Sequence, residues 1–210
     1  MADTLAEPFH VAFLRLRERL QDGAFPPGAR ITAVDVADEL RLSTTPVREA
    51  LSRLAGQGLL EDRRGQGYFV ARLSAADVAD LYRLSLAALL IAQEPHRTTR
   101  RPPAGPGDSE APLVTVGAVR DVEILFRDWA VETGSRALTS SFRTLQIQLG
   151  PVRRLEPLVF DDLDEEAERL DRASARNERL AQLRQFHGRR IRLAERLAGL
   201  LDASAAPPKK

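Results

Sequence analysis

The chain of 210 residues contains no cysteine, only three histidines and a single tryptophan. Without cysteine there are no disulfides, thiolate nucleophiles or thiolate zinc sites, so His, Asp and Glu are the side chains to consider as metal ligands. No apolar run reaches the length of about 18 residues that a membrane helix needs. The first ten residues also lack the basic start and apolar stretch of an export signal. We therefore expect a cytoplasmic protein that does not cross a membrane.

Catalytic motifs are missing as well. The sequence offers no Ser/His/Asp or Cys/His set, and the stretch Gly65-Gln66-Gly67 is too short to be a glycine-rich phosphate loop. An enzyme is therefore not expected, and neither is a cofactor. With 43% apolar and 29% charged residues, the chain has the composition of an ordinary globular protein with a sizeable core.

The net charge of +1 says little about partners, because what matters is where the charge lies. Residues 41–72 contain six arginines against three acidic side chains. A local basic excess of this kind favours an acidic partner such as nucleic acid.

The first part of the chain has the pattern of three short helices followed by a two-stranded β-hairpin. Apolar spacing predicts helices at about 8–22 and 33–40, and a third helix in which Thr45 is the N-cap and Pro46 occupies the first turn. The glycines between residues 59 and 70 predict the hairpin. This order of elements is that of a winged helix-turn-helix.

The third helix and the hairpin carry the candidate DNA contacts. A helix fits the major groove, where Arg48 in its first turn would face base edges, while Arg64 at the hairpin tip would face phosphates or the minor groove. The competing interpretation is that Arg48 and Arg53 are ordinary solvated helix residues. The candidate DNA-binding residues are Arg30, Ser43, Thr44, Thr45, Arg48, Ser52, Arg53, Arg63, Arg64, Gln66 and Gly67.

The second part of the chain is predicted to be all-α. Ser74 and Asp77 form a capping-box-like pair at the start of its first helix. Helical periodicity predicts helices at about 75–92, 117–133, 138–149, 161–174 and 177–202. Five of the thirteen prolines fall between residues 94 and 112, which predicts a flexible loop. We expect a mainly α protein, with a winged helix-turn-helix domain at 1–73 and a helical dimerisation and effector-binding domain at 74–210.

Two features of this half of the chain have alternative interpretations. Phe126 and Trp129 could line a pocket, although aromatic residues at helical spacing are typical of a core. The acidic run DDLDEEAE (161–168) could suggest a metal site, but its position at a helix start is accounted for by the helix dipole and solvation.

Three stretches, LQDGAFPPGARI, VADELRLSTTPVREALSRLAGQGLL and GQGYFVA, resemble the GntR family of transcription regulators over about 65 residues. The resemblance implies a winged helix-turn-helix that binds double-stranded DNA. Thr44 and Asp35 stand where relatives often have arginine, so base recognition would depend more heavily on Arg48.

The stretches DVEILFRDWAVETGSRAL and QFHGRRIRLAERLAGLL resemble the FadR-type subgroup, whose helical (FCD-type) domain mediates dimerisation. In many members this domain holds a metal ion that receives a carboxylate effector, bound by one Asp and three His. The matching positions here are Glu123, Arg127, Glu165 or Glu166, and His187. Because an arginine at a ligand position disfavours a metal ion, no metal is expected. Either Arg127 receives a carboxylate effector directly, or it pairs with Glu123 and the pocket is vestigial.

The sequence thus predicts a sequence-specific regulator, expected to repress transcription. It would act as a homodimer on a pseudo-palindromic operator and respond to a small carboxylate effector. The alternative is a helical partner-binding protein whose winged head has lost its affinity for DNA.

Overall fold

In the computed structural model, residues 7–94 and 117–205 are described. The predicted flexible loop at 94–112 lies outside this part of the chain, apart from Glu94. The expected mainly α fold, with a winged helix-turn-helix followed by a helical region, is confirmed.

The N-terminal region is built from three helices and a small sheet. Its elements are α1 (Pro8–Gln21), β1 (Arg30–Ile31), α2 (Ala33–Leu40), α3 (Thr44–Gly56), β2 (Glu61–Arg63) and β3 (Gly67–Phe69). The sheet has the order β1-β3-β2 and is antiparallel throughout, with Arg30 opposite Phe69 and Arg63 opposite Gly67. The prediction of a two-stranded hairpin missed β1, because two residues are too short a run to show an alternating pattern.

The three N-terminal helices pack around one apolar core. Leu16 of α1, Val36 of α2, and Val47, Leu51 and Leu54 of α3 are all buried, as their helical spacing predicts. Burial of each such side chain contributes about 1.5–3 kcal/mol. This core therefore fixes α3 against α1 and leaves the opposite face of α3 exposed.

The turn before α3 differs in detail from the prediction. Ser43, not Thr45, is the N-cap, and it makes no side-chain capping hydrogen bond. Arg41 ends α2 in the left-handed region with φ 54°, and this conformation lets the chain turn within a few residues. Helix α3 therefore begins at Thr44, two residues before Pro46, the first helical residue that a Thr45 cap predicts.

The helical region packs two further apolar cores. Its helices are α4 (Ala75–Ala92), α5 (Ala118–Glu132), α6 (Arg136–Arg153), α7 (Leu163–Arg172), α8 (Arg176–Arg192) and α9 (Ala194–Ser204), with a 3-10 turn at Glu156–Leu158. The capping box of α4 is confirmed: the Ser74 hydroxyl accepts from the Asp77 amide at 3.2 Å, and the Asp77 carboxylate accepts from the Ser74 amide at 2.8 Å. Phe126 and Trp129 belong to the core between α5, α6 and α8.

Two helix predictions in this region were wrong. The helix predicted at 138–149 runs from Arg136 to Arg153 and continues through Gly150 and Pro151. The helix predicted at 177–202 is two helices, which meet at Leu193. No helix in the described ranges is both long enough and apolar enough to cross a bilayer.

The N-terminal and helical regions are in direct contact through α1 and α6. Ile147 of α6 belongs to the apolar core of the N-terminal region. The Gln148 side chain donates to the carbonyl of Gly58, just beyond α3, at 3.1 Å. A Cβ at Gly150 would lie 2.0 Å from the carbonyl oxygen of Gln21, so only glycine allows α6 to approach the end of α1 this closely. The predicted boundary between residues 73 and 74 remains a prediction.

Candidate nucleic-acid interface and ligand site

The outer face of α3 presents three candidate contact residues. Arg48, Ser52 and Arg53 are exposed, on the side of α3 opposite Val47 and Leu51. Within the described part of the chain, neither Arg48 nor Arg53 has a hydrogen-bond or ion-pair partner. Their guanidinium groups are therefore available to a partner outside the chain.

The N-terminus of α3 forms the second part of this surface. Ser43 and Thr45 are exposed and Thr44 is half-buried. Because no side chain caps this helix end, its first amide groups are open to an anion, and the helix dipole favours negative charge there. Arg41 is also exposed at this turn; it was missed as a candidate, although it is one of the six arginines in the basic stretch.

The hairpin between β2 and β3 forms the wing, and its two arginines differ. The Arg63 guanidinium binds Glu61 at 2.8 and 3.0 Å and lies 4.2 Å from the centre of the Phe69 ring. Arg64 and Gln66 are exposed at the tip. Arg63 therefore stabilises the wing itself, and Arg64 is the better placed of the two to meet a phosphate.

Glycine at position 67 allows the Arg30 side chain to lie beside the wing. Gly67 has φ 104°, which favours glycine, and a Cβ at this position would lie 3.4 Å from Nε of Arg30. The β1 strand thus places the Arg30 side chain along the wing. All eleven candidate residues are exposed or half-buried, as a contact surface requires; their contact with DNA remains a prediction.

In the helical region, Glu123 is buried among arginines. Its carboxylate accepts from Arg120 at 2.9 Å and from Arg154 at 2.6 Å, and the side chain of Gln21 at the end of α1 lies at 3.5 Å. Arg120, one turn earlier on α5, and Arg154, which follows α6, thus bind the buried carboxylate. The pairing of Glu123 with Arg127 stays a prediction.

The predicted pocket set is not brought together. Arg127 is partly exposed and donates from Nε to Asp128 at 3.2 Å. Glu165 is exposed, whereas the next residue, Glu166, is buried. Arg127 lies at the edge of the buried face of α5, and its long side chain reaches solvent. Glu165 and Glu166 are neighbours on α7, so their side chains point to different faces of that helix. Of the predicted positions, Glu123, Glu166 and His187 lie in the interior, whereas Arg127 and Glu165 do not.

His187 is fully buried and has both ring nitrogens engaged. Nδ1 lies 2.8 Å from the Leu183 carbonyl and Nε2 lies 3.1 Å from the Ser85 hydroxyl. Burial, reinforced by the charges of Arg153 and Arg190, lowers the pKa of His187 to about 3. The ring is therefore neutral. Its Nδ1–H donates a hydrogen bond to the Leu183 carbonyl, and its Nε2 accepts a hydrogen bond from the Ser85 hydroxyl.

These side chains do not fit a metal ion. Two guanidinium groups already bind the Glu123 carboxylate, and both nitrogens of His187 have protein partners. In the described ranges, no three His, Asp or Glu side chains are grouped closely enough to hold an ion. The metal that the family resemblance implies has no suitable donor set here.

A buried polar cluster that sequence reasoning missed lies beside His187. The Arg190 guanidinium donates to Glu156 at 2.9 and 2.8 Å and lies 2.7 Å from the Glu166 carboxylate. The Tyr82 hydroxyl donates to Glu156 at 2.6 Å. Burial opposes ionisation of Glu156, yet the charge and hydrogen bonds of Arg190 keep its pKa below the usual value.

The acidic run at 161–168 supplies part of this cluster. Arg189 binds Asp162 at 2.6 Å and Glu166 at 3.1 Å. The hydrogen bond from Arg189 lowers the pKa of Asp162. The interpretation of this run as a helix start stabilised by its dipole and by solvent was therefore incomplete, because two of its carboxylates form ion pairs with α8.

The N-terminal geometry defines a class of protein. Helices α2 and α3, joined by a tight turn and followed by a three-stranded sheet whose exposed wing carries Arg64 at its tip, form a winged helix-turn-helix. Residues 10–70 match the model of the family described as bacterial regulatory proteins, gntR family. This segment of the chain is therefore similar to the GntR family, and the match covers less than half of the chain.

The chain is also similar to proteins described as transcriptional regulators. An HTH-type transcriptional regulator from the TAR-I ttuE-ttuC' intergenic region of Agrobacterium vitis is 33% identical over 76 residues, which are 36% of this chain and 44% of that protein. The Nta operon transcriptional regulator of Aminobacter aminovorans is 45% identical over 60 residues, 29% of each chain. The matched segments therefore span less than half of either relative.

The structural likeness extends over both regions. The structure of McbR/YncC from E. coli superposes with a TM-score of 0.61 at 19% identity, covering 91% of this chain and 99% of that one. The winged head and the helical region thus share their fold with McbR/YncC. The similar proteins with a described role are transcriptional regulators.

Proposed function

We propose that the protein is a sequence-specific DNA-binding transcriptional regulator, which represses its target genes. The observation that carries the proposal is the exposed, unpaired Arg48 in the first turn of α3. An arginine at this position can donate two hydrogen bonds to O6 and N7 of guanine in the major groove. Action on chromosomal DNA would place the protein in the cytoplasm.

The other surface residues would position the head on the duplex. Ser52 and Arg53 follow Arg48 along the exposed face of α3, and the open amides at its N-terminus suit a phosphate. Arg64 and Gln66 at the wing tip would meet the neighbouring backbone or the minor groove. Phosphate contacts fix the register, whereas Arg48 reads the sequence.

We further propose a homodimer of the FadR-like subgroup, formed through the helical region at 74–210. An apolar stripe lies uncovered on α4, where Leu84 is 55% and Ile91 49% exposed, with Ala87 exposed between them. Helical spacing places these three side chains on one face. A two-fold dimer would place two α3 helices on the two halves of a pseudo-palindromic operator.

The helical region would also bind a small carboxylate effector. Glu123, Glu166 and His187 are the interior members of the residue set predicted for it, whereas Arg127 is partly exposed and Glu165 is exposed. No metal ion takes part in the proposal.

The DNA proposal is tested by selecting operator sequences with the purified protein and then titrating variants on operator and random DNA. Arg48→Ala should cost about 1–3 kcal/mol on the operator and relax base preference, because it removes a base contact. Arg64→Ala should weaken binding to both DNAs alike and reduce the dependence on salt between about 50 and 200 mM. Arg83→Ala is the matched control, since Arg83 lies on α4 and pairs with Asp80.

Equal losses on operator and random DNA for Arg48→Ala would contradict the assigned role of Arg48. Undetectable DNA binding by the wild type at low salt would contradict the regulator proposal. That result would favour the alternative of a helical partner-binding protein with an inactive winged head, for which Thr44 and Asp35 are the motivating residues.

The dimer proposal is tested by sedimentation analysis of Leu84→Glu. A charge in an apolar interface must lose its hydration, so the variant should be monomeric where the wild type is dimeric. Leu158→Glu is the control, because Leu158 is 61% exposed and lies outside α4. An unchanged dimer in Leu84→Glu would exclude this face of α4.

A further inference from the structure

We infer that Arg41, in the turn between α2 and α3, is a further DNA-contacting residue, which binds a backbone phosphate at the edge of the major groove. The inference deepens the proposed function, on which it rests, and gives a role to an arginine outside the predicted contact set. The observations that carry it are the exposed guanidinium group, the anchored turn and the backbone conformation of Arg41.

The guanidinium group of Arg41 has no hydrogen-bond or ion-pair partner within the described ranges, and the residue is exposed. The two acidic residues that precede it on α2 do not neutralise it. Glu39 pairs with Arg19 at 2.5 Å, and Asp38 forms no ion pair with Arg41. The positive charge of Arg41 is therefore available to a partner outside the chain.

The turn that carries Arg41 is anchored on both sides. Its two neighbours, Leu40 and Leu42, are partly buried and pack against the apolar core of the winged head. The amide of Leu42 donates to the carbonyl of Ala37 at 2.9 Å. The amide of Arg41 donates to the carbonyl of Asp38 at 3.3 Å, and this pair of bonds closes the end of α2 in a Schellman motif. The backbone of Arg41 is therefore held in place relative to α2 and α3.

The backbone of Arg41 adopts a conformation that costs glycine less than arginine. Its φ of 54° and ψ of 43° lie in the left-handed region, and Arg41 is the one non-glycine residue with positive φ among the described residues. In this region the Cβ of an L-residue crowds the carbonyl oxygen that follows it, whereas glycine has no Cβ. Because no hydrogen bond or ion pair of the side chain offsets this cost within the described part of the chain, we assign the side chain a role outside the fold.

The position of the turn determines which atoms of DNA Arg41 can reach. In a helix-turn-helix the second helix enters the major groove, while the first helix crosses the sugar-phosphate backbone. The turn that joins α2 to α3 therefore lies where the backbone borders the groove. A guanidinium group binds a phosphate through two parallel charge-assisted hydrogen bonds. Arg41 would thus meet a phosphate, whereas Arg48, inside the groove, would meet base edges.

A phosphate contact has a quantitative signature that a base contact lacks. It supports binding to every sequence alike, and it releases counterions from the duplex. Each contact contributes about −0.9 to the slope of log affinity against log salt. Between 1 M and about 0.1 M salt, this slope corresponds to a gain in affinity of about eightfold for each contact.

The test is a titration of a random-sequence duplex with the full chain, at salt concentrations between about 0.05 and 0.2 M. Arg41→Gln removes the charge and keeps a Cβ, whereas Arg41→Gly removes both. Arg15→Gln is the matched control. Arg15 is exposed on α1 of the same winged head and pairs with Glu18 at 2.9 Å, so this variant loses the same charge away from the turn.

We expect both Arg41 variants to bind the duplex about eightfold more weakly at about 0.1 M salt, with a salt slope smaller by about 0.9, for each winged head bound. Arg15→Gln should keep the wild-type slope. An unchanged affinity and slope in Arg41→Gln, or the same loss in Arg15→Gln, would overturn the inference and leave the proposed function standing. A wild type that binds no DNA at low salt would overturn both.

The same loss is expected on the selected operator, because a phosphate contact does not discriminate between sequences. A loss confined to the operator would mean that Arg41 contacts a base, and it would refute the phosphate assignment. Arg48→Ala, measured beside it, should show that operator-specific loss.

Thermal unfolding separates a DNA-contacting role of Arg41 from a structural one. Arg41→Gln should melt at the wild-type temperature, because the side chain forms no hydrogen bond or ion pair in the described ranges. Arg41→Gly should melt at or above that temperature, since glycine relieves the left-handed conformation. A lower melting temperature than that of the wild type in either variant would show that Arg41 stabilises the turn, and the inference would then be wrong.

Discussion

Replacement of Gly150 by alanine should force apart the two helices that join the head to the helical region. The new Cβ would lie 2.0 Å from the carbonyl oxygen of Gln21 and 2.7 Å from its carbonyl carbon. Ordinary contacts lie near 3.5 Å, so the overlap is about 1.5 Å. Because the obstructing atoms belong to the backbone of α1, no side-chain rotation can relieve it.

The expected cost follows from two opposing effects. Overpacking a tight contact typically costs about 1–3 kcal/mol, and a backbone clash belongs at the upper end. Alanine in place of glycine inside a helix returns about 1 kcal/mol. We therefore expect Gly150→Ala to lower the free energy of unfolding by about 1–2 kcal/mol in net terms.

Gly199→Ala provides the matched control. Gly199 is exposed within α9, and a Cβ there would meet no atom within 4 Å. This variant should raise the free energy of unfolding by about 0.5–1 kcal/mol, because only the helix preference remains. Urea unfolding followed by circular dichroism measures both variants, in the first transition if there is more than one. The reasoning is refuted if Gly150→Ala is as stable as Gly199→Ala.

Three further substitutions test individual contacts by urea unfolding. His187 stays neutral in the folded state down to about pH 3, while the unfolded chain takes up a proton below about pH 6.5, so the free energy of unfolding should fall with decreasing pH in this window by up to about 1.4 kcal/mol per pH unit. His187→Gln should flatten this dependence between about pH 7 and 5 relative to the wild type; a slope equal to that of the wild type would contradict the assignment. Ser74→Ala should cost about 1 kcal/mol by removing the cap of α4, and unchanged stability would show that the cap contributes nothing. Tyr82→Phe should cost about 1–2 kcal/mol because Glu156 loses a buried donor, and a variant as stable as wild type would mean that Arg190 alone satisfies that carboxylate.

The sequence was most informative where local chemistry determines structure. Ser74 and Asp77 cap α4 as predicted, and the glycines of the wing provide its positive φ angles. The helical spacing of Val47, Leu51 and Leu54 correctly assigned the buried face of α3, and with it the exposed position of Arg48. These features depend on neighbours within a few residues.

The predictions from the sequence failed where the structure depends on contacts between residues that are distant in the sequence. The helix predicted to end at residue 149 continues through Gly150 and Pro151, where the end of α1 packs against Gly150. The break at Leu193 has no proline or glycine to mark it. Arg153 could not be distinguished from other arginines, since its burial beside Glu123, 4.0 Å away, is a contact that only the fold creates.

The winged head is attached to α6 at two separate points, at Gly150 beneath the end of α1 and at Gln148 beside the end of α3. Because both contacts hold it, the winged head cannot rotate freely about either contact alone. A displacement of α6 would therefore tilt the whole winged head. The orientation of α3 would change, while the internal structure of the winged head would be preserved.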